Sequence, residues 1–308
     1  MLRYVAVRLL QGGLVIFLVS LATFVIMQLA PGSPIDLMVG EANITQAQID
    51  AISREWGFDR PWYVQYATWL GNVVTGDFGR SVVRTGVPVG QMLAEAAPMT
   101  ARLNLLALGI AAVVAVPVGI FAATRRFSLF DYLSTLGATL GVSLPNYWVG
   151  LMLIIVFSLQ LAWLPPFGAE GWQGYVLPVS VLAIGEMAIL ARLARGATLE
   201  VLGQEYVTTA RAKGLSAGQV LRRHVVRNAM LPVVTMLGYR LAFLLSGTIV
   251  VETVFAWPGI GRLFIDSIYR LDYQVVQAIV LLLAAIVVVG NLLTDLAYAY
   301  IDPRIRVR

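Results

Sequence analysis

Residues 100–123 read TARLNLLALGIAAVVAVPVGIFAA, and this run decides the class of the whole chain. Its one charge, Arg102, sits near its start, and Arg125 and Arg126 follow its end. A helix that crosses a bilayer core needs about 20 mostly apolar residues, and this run supplies them without interruption. Working outward, comparable runs occupy 9–30, 133–163, 175–193, 231–251 and 275–300. The expectation is an all-α polytopic membrane protein with six transmembrane helices. Pro145, inside the third and overlong run, predicts a kink or a short interfacial piece ahead of the span proper. Pro117 and Pro178 are tolerable in membrane helices, where neighbouring groups re-satisfy the backbone. Arg3 and Arg8 precede the first run as they would in a signal peptide. The run is too long for a signal core and lacks a clear A-x-A site, so it is expected to be an uncleaved anchor.

Composition agrees. The 308 residues are 59% hydrophobic and only 13% charged, against about 25% charged in an ordinary soluble domain. Mean hydropathy is +0.80. The net charge of +5 does not point to nucleic acid, because the arginines cluster beside the apolar runs. With an even number of spans both termini share one side. Fourteen Lys and Arg residues would lie there, seven on the other side, and Arg240 inside a span. The positive-inside rule then places both termini in the cytoplasm.

The chain has no cysteine and one histidine, His224, which excludes thiolate chemistry and a two-His metal motif. Its only lysine lies in Arg211-Ala212-Lys213-Gly214, with no Gly-rich loop before it. There is no phosphate-binding loop, so ATP, if it is used, binds to another chain.

The segment 31–98 is too long for a structureless loop and reads as an extracytoplasmic helical insert. Ile49, Ile52 and Trp56 mark one helix, stopping at Gly57. A second opens at Pro61, with Tyr66, Trp69, Leu70 and Val73 on its buried face and Gly76 at its end. A third, from Val89 to Ala97, leads past Pro98 into the second span. This cap either meets an external partner or only packs on its own helix ends.

The longest inner segment, 194–230, carries a short helix from Glu205 to Lys213, with Gly214 as its stop. Ser216 and Gln219 then form the S-x-x-Q pattern of a capping box that opens a second helix. Such a rigid corner fits a groove on another protein, or else lies as a basic elbow on anionic lipid. Glu186 and Arg240 fall about 16 and 14 Å into their spans at 1.5 Å per residue. A lone charge there costs at least about 2.5 kcal/mol, so the two either line a wet pathway or pair with each other. Glu252, after the fifth run, belongs to an outer gate or to the water interface, the latter being preferred. Arg192 and Arg195 are expected to snorkel.

The stretch Tyr206-Val207-Thr208-Thr209-Ala210-Arg211-Ala212-Lys213-Gly214-Leu215-Ser216, followed by Arg227-Asn228-Ala229-Met230-Leu231-Pro232, resembles the cytoplasmic EAA loop of bacterial ABC importer permeases, in the dipeptide and oligopeptide branch. Also similar to that branch are Trp56-Gly57-Phe58-Asp59-Arg60-Pro61, Gly76-Asp77-Phe78-Gly79-Arg80-Ser81, Val251-Glu252-Thr253-Val254-Phe255 and Asp302-Pro303-Arg304-Ile305-Arg306. Thr208-Thr209-Ala210 stands where the wider superfamily has Glu-Ala-Ala, and Glu205 lies one helical turn early. The resemblance implies a single permease domain over 1–308 with the type I importer fold, set in the bacterial inner membrane. It implies Glu205, Tyr206, Thr208, Thr209, Ala210, Arg211, Ala212, Lys213 and Gly214 as the ATPase-coupling loop, and leaves Glu186, Arg240 and Glu252 as pathway candidates. It further implies a second homologous permease, two cytoplasmic ATPase subunits or one with two ATPase domains, a substrate-binding protein outside, and peptide as cargo. ATP and Mg would sit on those partner subunits, with no cofactor on this chain. A secondary transporter driven by protons or sodium is the alternative, with Glu186 and Asp295 as its proton sites; against it, no inverted repeat is visible.

Overall fold

The computed structural model describes residues 2–29, 53–54, 57, 59–84, 86–245 and 248–301, with side chains from residue 5 to residue 294 among these. The helix expected around Ile49, Ile52 and Trp56, and the tail motif from Asp302, lie outside the described residues. Every extended element among the described residues is helical, apart from one isolated bridge between Arg80 and Pro88. The chain divides into two compact units, residues 1–100 with 258–308 and residues 101–257.

The first unit holds α1 (Leu2–Leu29), α2 (Trp62–Val74), the start of α3 (Val89–Thr124), and the last two helices of the chain, 260–269 and 273–301. Pro61 opens α2 with its fixed φ, and Gly76, at φ +87°, follows its end, as the sequence predicts. Tyr66 is buried on the expected face, where it contacts the rings of Phe17 and Phe24 and shares a 2.8 Å hydrogen bond with Ser20. That contact fastens α2 to α1.

The amphipathic piece from Val89 and the second span form one continuous helix, α3. Val89, Met92, Leu93 and Ala96 pack on Ile260, Val275, Ala278 and Ile279. That apolar contact lies before the proline, and just beyond it Thr100 Oγ1 accepts a 2.9 Å bond from the Ile260 N–H, so both sides of Pro98 are held on the 260–269 helix.

The second unit holds the rest of α3, then α4 (Leu129–Ser143), α5 (Asn146–Leu153, continued by a wide turn to Gln160) and α6 (Gln173–Leu202). There follow α7 (Glu205–Ala212), α8 (Ala217–Val220), α9 (Val226–Ala242) and α10 (Ile249–Val254). The helices of the first unit that close the chain are α11 (Ile260–Tyr269) and α12 (Tyr273–Ile301). Close approach in the second unit rests on small residues: a Cβ at Gly119 would collide with the Ala191 carbonyl of α6, and one at Gly141 would meet Ala188 at 3.0 Å.

Among the described residues, four helices are long and apolar enough to cross a membrane: 5–29, 89–124, 173–202 and 273–294. The third expected span is the pair α4 and α5, bent by 102°. The bend lies at Leu144, which is extended as residues before proline prefer to be, ahead of Pro145. The fifth expected span departs most from the sequence reading. Its helix starts well before residue 231 and ends at Ala242, and only the short α10 follows. A window over 231–251 averages apolar, which hides the polar and turn-forming residues Arg240 and Ser246-Gly247-Thr248 on either side of this break.

Candidate coupling corner and membrane-embedded ion pairs

Between α6 and α9 the chain turns twice. α7 ends in a motif that uses two backbone bonds: the Gly214 N–H donates to the Arg211 carbonyl at 3.0 Å, and the Leu215 N–H to the Ala210 carbonyl at 3.4 Å. Gly214 takes φ +83°. This is the Schellman arrangement, in which a glycine past the helix end adopts the left-handed region and carbonyls left over from the last turn are satisfied. Two residues later Ser216 caps α8, and its side chain and that of Gln219 complete the reciprocal capping box. The angle of the corner is thus set within a few residues, from both sides.

The corner has its own small core. Val207, Ala210, Val220 and Val225 are buried together, with Leu202, Leu215 and Leu221 packed around them. Of the nine coupling-loop candidates, Ala210 faces this core, while Glu205, Tyr206, Thr208, Thr209, Arg211, Ala212, Lys213 and Gly214 are exposed. Thr209 Oγ1 donates to the Glu205 carbonyl at 3.0 Å. Tyr206 does more than face outward: its hydroxyl accepts a 3.0 Å bond from Asn228 Nδ2, which also donates to the His224 carbonyl at 2.8 Å. Asn228 lies at the start of α9, so α7 is tied to the following helix by a side-chain bond as well as by the chain.

Glu186 of α6 and Arg240 of α9 meet, with 3.2 Å between Oε2 and Nε. Both side chains are half-buried. Those same two atoms are buried and make no hydrogen bond, so the contact is electrostatic, without an aligned N–H. Because α9 ends at Ala242, Arg240 lies in its last turn and not mid-helix as the hydropathy window implies. A cation there is also favoured by the helix dipole.

Glu252 is not at a water interface. It is completely buried on α10 and accepts a 2.9 Å bond from the buried Thr248 hydroxyl. Its backbone carbonyl accepts from the Trp257 N–H at 2.8 Å, and Trp257 stacks edge-on to Tyr175 with centroids 4.6 Å apart. The Glu252 side chain therefore closes on Thr248 at the start of α10, while its backbone carbonyl holds the turn that follows.

Arg195 does not snorkel. It grips Asp131 of α4 with two bonds, Nε to Oδ1 at 2.5 Å and Nη2 to Oδ2 at 2.9 Å. Asp131 is 3% exposed and also accepts from the Phe127 N–H at 3.0 Å. The sequence reading passed over Asp131, and it named Asn228 only within the Arg227–Pro232 stretch, without its bond to Tyr206. For Asp131 the signal was present: Ser128-Leu129-Phe130-Asp131 is a capping pattern, and Ser128 does cap α4. For Asn228 no local pattern exists. Among the described residues no cluster of three or more His, Cys, Asp or Glu could hold a metal.

Residues 115–307 match the family described as binding-protein-dependent transport system inner membrane component, and residues 1–101 match its N-terminal part. The chain belongs to this permease family. The permease is 41% identical over 315 residues to the oligopeptide transport system permease protein AppB of Bacillus subtilis (strain 168), covering 99% of both chains. It is 42% identical over 306 residues to the glutathione transport system permease protein GsiC of Escherichia coli (strain K12), again covering 99% of both. Solved structures that share its fold include an amino acid ABC transporter and the MetNI methionine ABC transporter. Each has a TM-score of 0.52 at 18% identity, over 67% of this chain and 92% and 95% of theirs. The permease is a multi-pass transmembrane subunit of an ABC importer of the inner membrane, and the ion-driven alternative falls away.

Proposed function

We propose that the permease forms half of a translocation pathway for short peptides, and that cytoplasmic ATPases drive it through the exposed face of α7. The observation that carries this is the corner itself. A short helix presents polar residues outward, is fixed at one end by Gly214 and Ser216, and is bonded to α9 through Tyr206 and Asn228. A push on α7 therefore reaches Arg240, on the same α9, and Glu186 beside it. On this reading both termini and the 194–230 loop are cytoplasmic, and the 31–98 insert faces outward. A second homologous permease completes the pathway. Two ATPase subunits, or one with two ATPase domains, bind ATP and Mg, and an external binding protein delivers the cargo. Glu186 and Arg240, partly exposed and opposite in charge, would meet the ammonium and carboxylate ends of a peptide. Glu252 contributes through its buried bond to Thr248, which fixes the start of α10. The names of the relatives, which specify oligopeptide and glutathione transport, favour peptide cargo.

The test is uptake by vesicles that contain the permease with its partner subunits, given ATP and no ion gradient. Labelled dipeptides and longer peptides should accumulate only with ATP and binding protein. Uptake that follows an imposed proton or sodium gradient without ATP would sink the proposal.

A further inference from the structure

The first and last spans leave a groove of about 430 Å³ between them, separate from the corner and from the Glu186–Arg240 pair. We propose that it is a binding site for one anionic phospholipid. Phe24 and Gln28, near the end of α1, share a cavity with Tyr273, Gln274 and Gln277 at the start of α12, so the two helices run antiparallel. They cross closely at Gly12, where a Cβ would stand 2.5 Å from Val288 Cγ1. From that crossing the groove has a direction. Towards the N-terminus it is walled by Arg8 and Gln11 of α1 and by Asn291 and the single leucine Leu292 of α12. Towards the middle of the spans it is walled by Leu14, Val15 and Val287.

This is the polarity of an amphiphile. Arg8 immediately precedes the first apolar run, at the level where phosphates lie. Seven residues on, about 10 Å along the helix, the walls are aliphatic. An arginine beside two carboxamides offers a phosphate diester N–H donors from three sides, and short aliphatic side chains beyond them leave room for an acyl chain. Arg8 has a further interaction of its own, but a guanidinium carries five N–H donors and can serve more than one acceptor. Basic pockets between spanning helices are a recognised setting for acidic headgroups. The charge complementarity and the head-to-tail gradient together select a lipid over a purely apolar partner helix, which would leave Gln11 and Asn291 facing hydrocarbon. On the proposed orientation the headgroup lies in the inner leaflet.

The experiment is native mass spectrometry of the intact permease complex in mild detergent, titrated separately with dioleoyl phosphatidylglycerol and dioleoyl phosphatidylcholine. The parent should retain one phosphatidylglycerol per permease chain at concentrations where phosphatidylcholine is lost. Arg8→Gln should weaken that retention about fivefold, the effect of one arginine charge at a membrane surface. Val287→Trp should abolish it by filling the groove. Asn291→Leu, which adds no bulk, should also weaken it, so the site stays testable if the tryptophan variant fails to fold. Glycerol 3-phosphate should not compete, since the headgroup alone leaves the aliphatic wall unfilled; competition would mean a free phosphate site instead and overturn the proposal. Equal retention of both lipids, retention of neither, or phosphatidylglycerol binding undiminished by Arg8→Gln overturns it as well.

Discussion

Gly214 shows how much one residue can fix. Its φ of +83° is closed to most side chains, yet no atom lies within 4 Å of where a Cβ would stand. A substitution there meets no clash, so its cost is backbone strain alone, about 1–2 kcal/mol for alanine and less for asparagine, which enters the left-handed region more readily. A β-branched valine costs more. Transport by the assembled complex should therefore fall in the order glycine, asparagine, alanine, valine, with the chain still inserted. ATPase binding or coupling should fall in step. If uptake and ATP hydrolysis are the same across the series, the corner is a passive loop. Glu186 and Arg240 make a second residue-scale case. Because they touch, Glu186→Gln and Arg240→Gln should not be additive: a double-mutant cycle on thermal stability in detergent should show an interaction of about 0.5–3 kcal/mol. Strict additivity would mean that the 3.2 Å contact carries no energy.

At the scale of elements, the sequence was most legible where one local rule acts alone. The capping box at Ser216 and the glycine stops at Gly76 and Gly214 depend on a few adjacent residues, and all three are in place. The long spans were legible because apolar content over about 20 residues is itself the signal. Where two rules compete, reading failed. The end of α9 at Ala242 falls between Arg240 and Ser246-Gly247-Thr248, signals that a hydropathy window of about 20 residues averages away. Arg195 looked like a snorkelling side chain because its partner, Asp131, is 64 residues away in sequence. The bond between Tyr206 and Asn228 is hidden for the same reason, and it yields a prediction at this scale. Tyr206→Phe keeps the ring and removes the acceptor, so α7 stays folded on Val207 and Ala210 but loses its side-chain tie to α9. The expected result is unchanged ATPase recruitment with less uptake per ATP hydrolysed. Asn228→Ala should give the same ratio, and the double variant should be no worse than either alone. A fall in recruitment equal to the fall in uptake would instead make Tyr206 part of the ATPase contact surface.

At the scale of the whole molecule the open matter is how often the chain crosses the membrane, and its composition offers a clean way to count. Between Tyr63 on α2 and Lys213 beyond α7 lie α3, the bent pair α4–α5, and α6. If the pair bent by 102° is one span, the chain crosses three times and the two residues lie on opposite sides. If the pair is re-entrant, it crosses twice and they lie on the same side. Both positions are exposed, Tyr63 by 58%, so a thiol there would be accessible. The chain has no cysteine of its own, so Tyr63→Cys and Lys213→Cys each give a single reactive site without background. Positive-inside bias and the proposed coupling role of α7 both require Lys213 in the cytoplasm. In spheroplasts with intact membranes, a membrane-impermeant maleimide should therefore label Tyr63→Cys at once, and Lys213→Cys only after the membrane is opened. Labelling of both from outside, or of neither, would make α4–α5 a re-entrant hairpin. The inverse pattern would keep the crossings and reverse the orientation, which would put α7 out of reach of any cytoplasmic ATPase and end its proposed role.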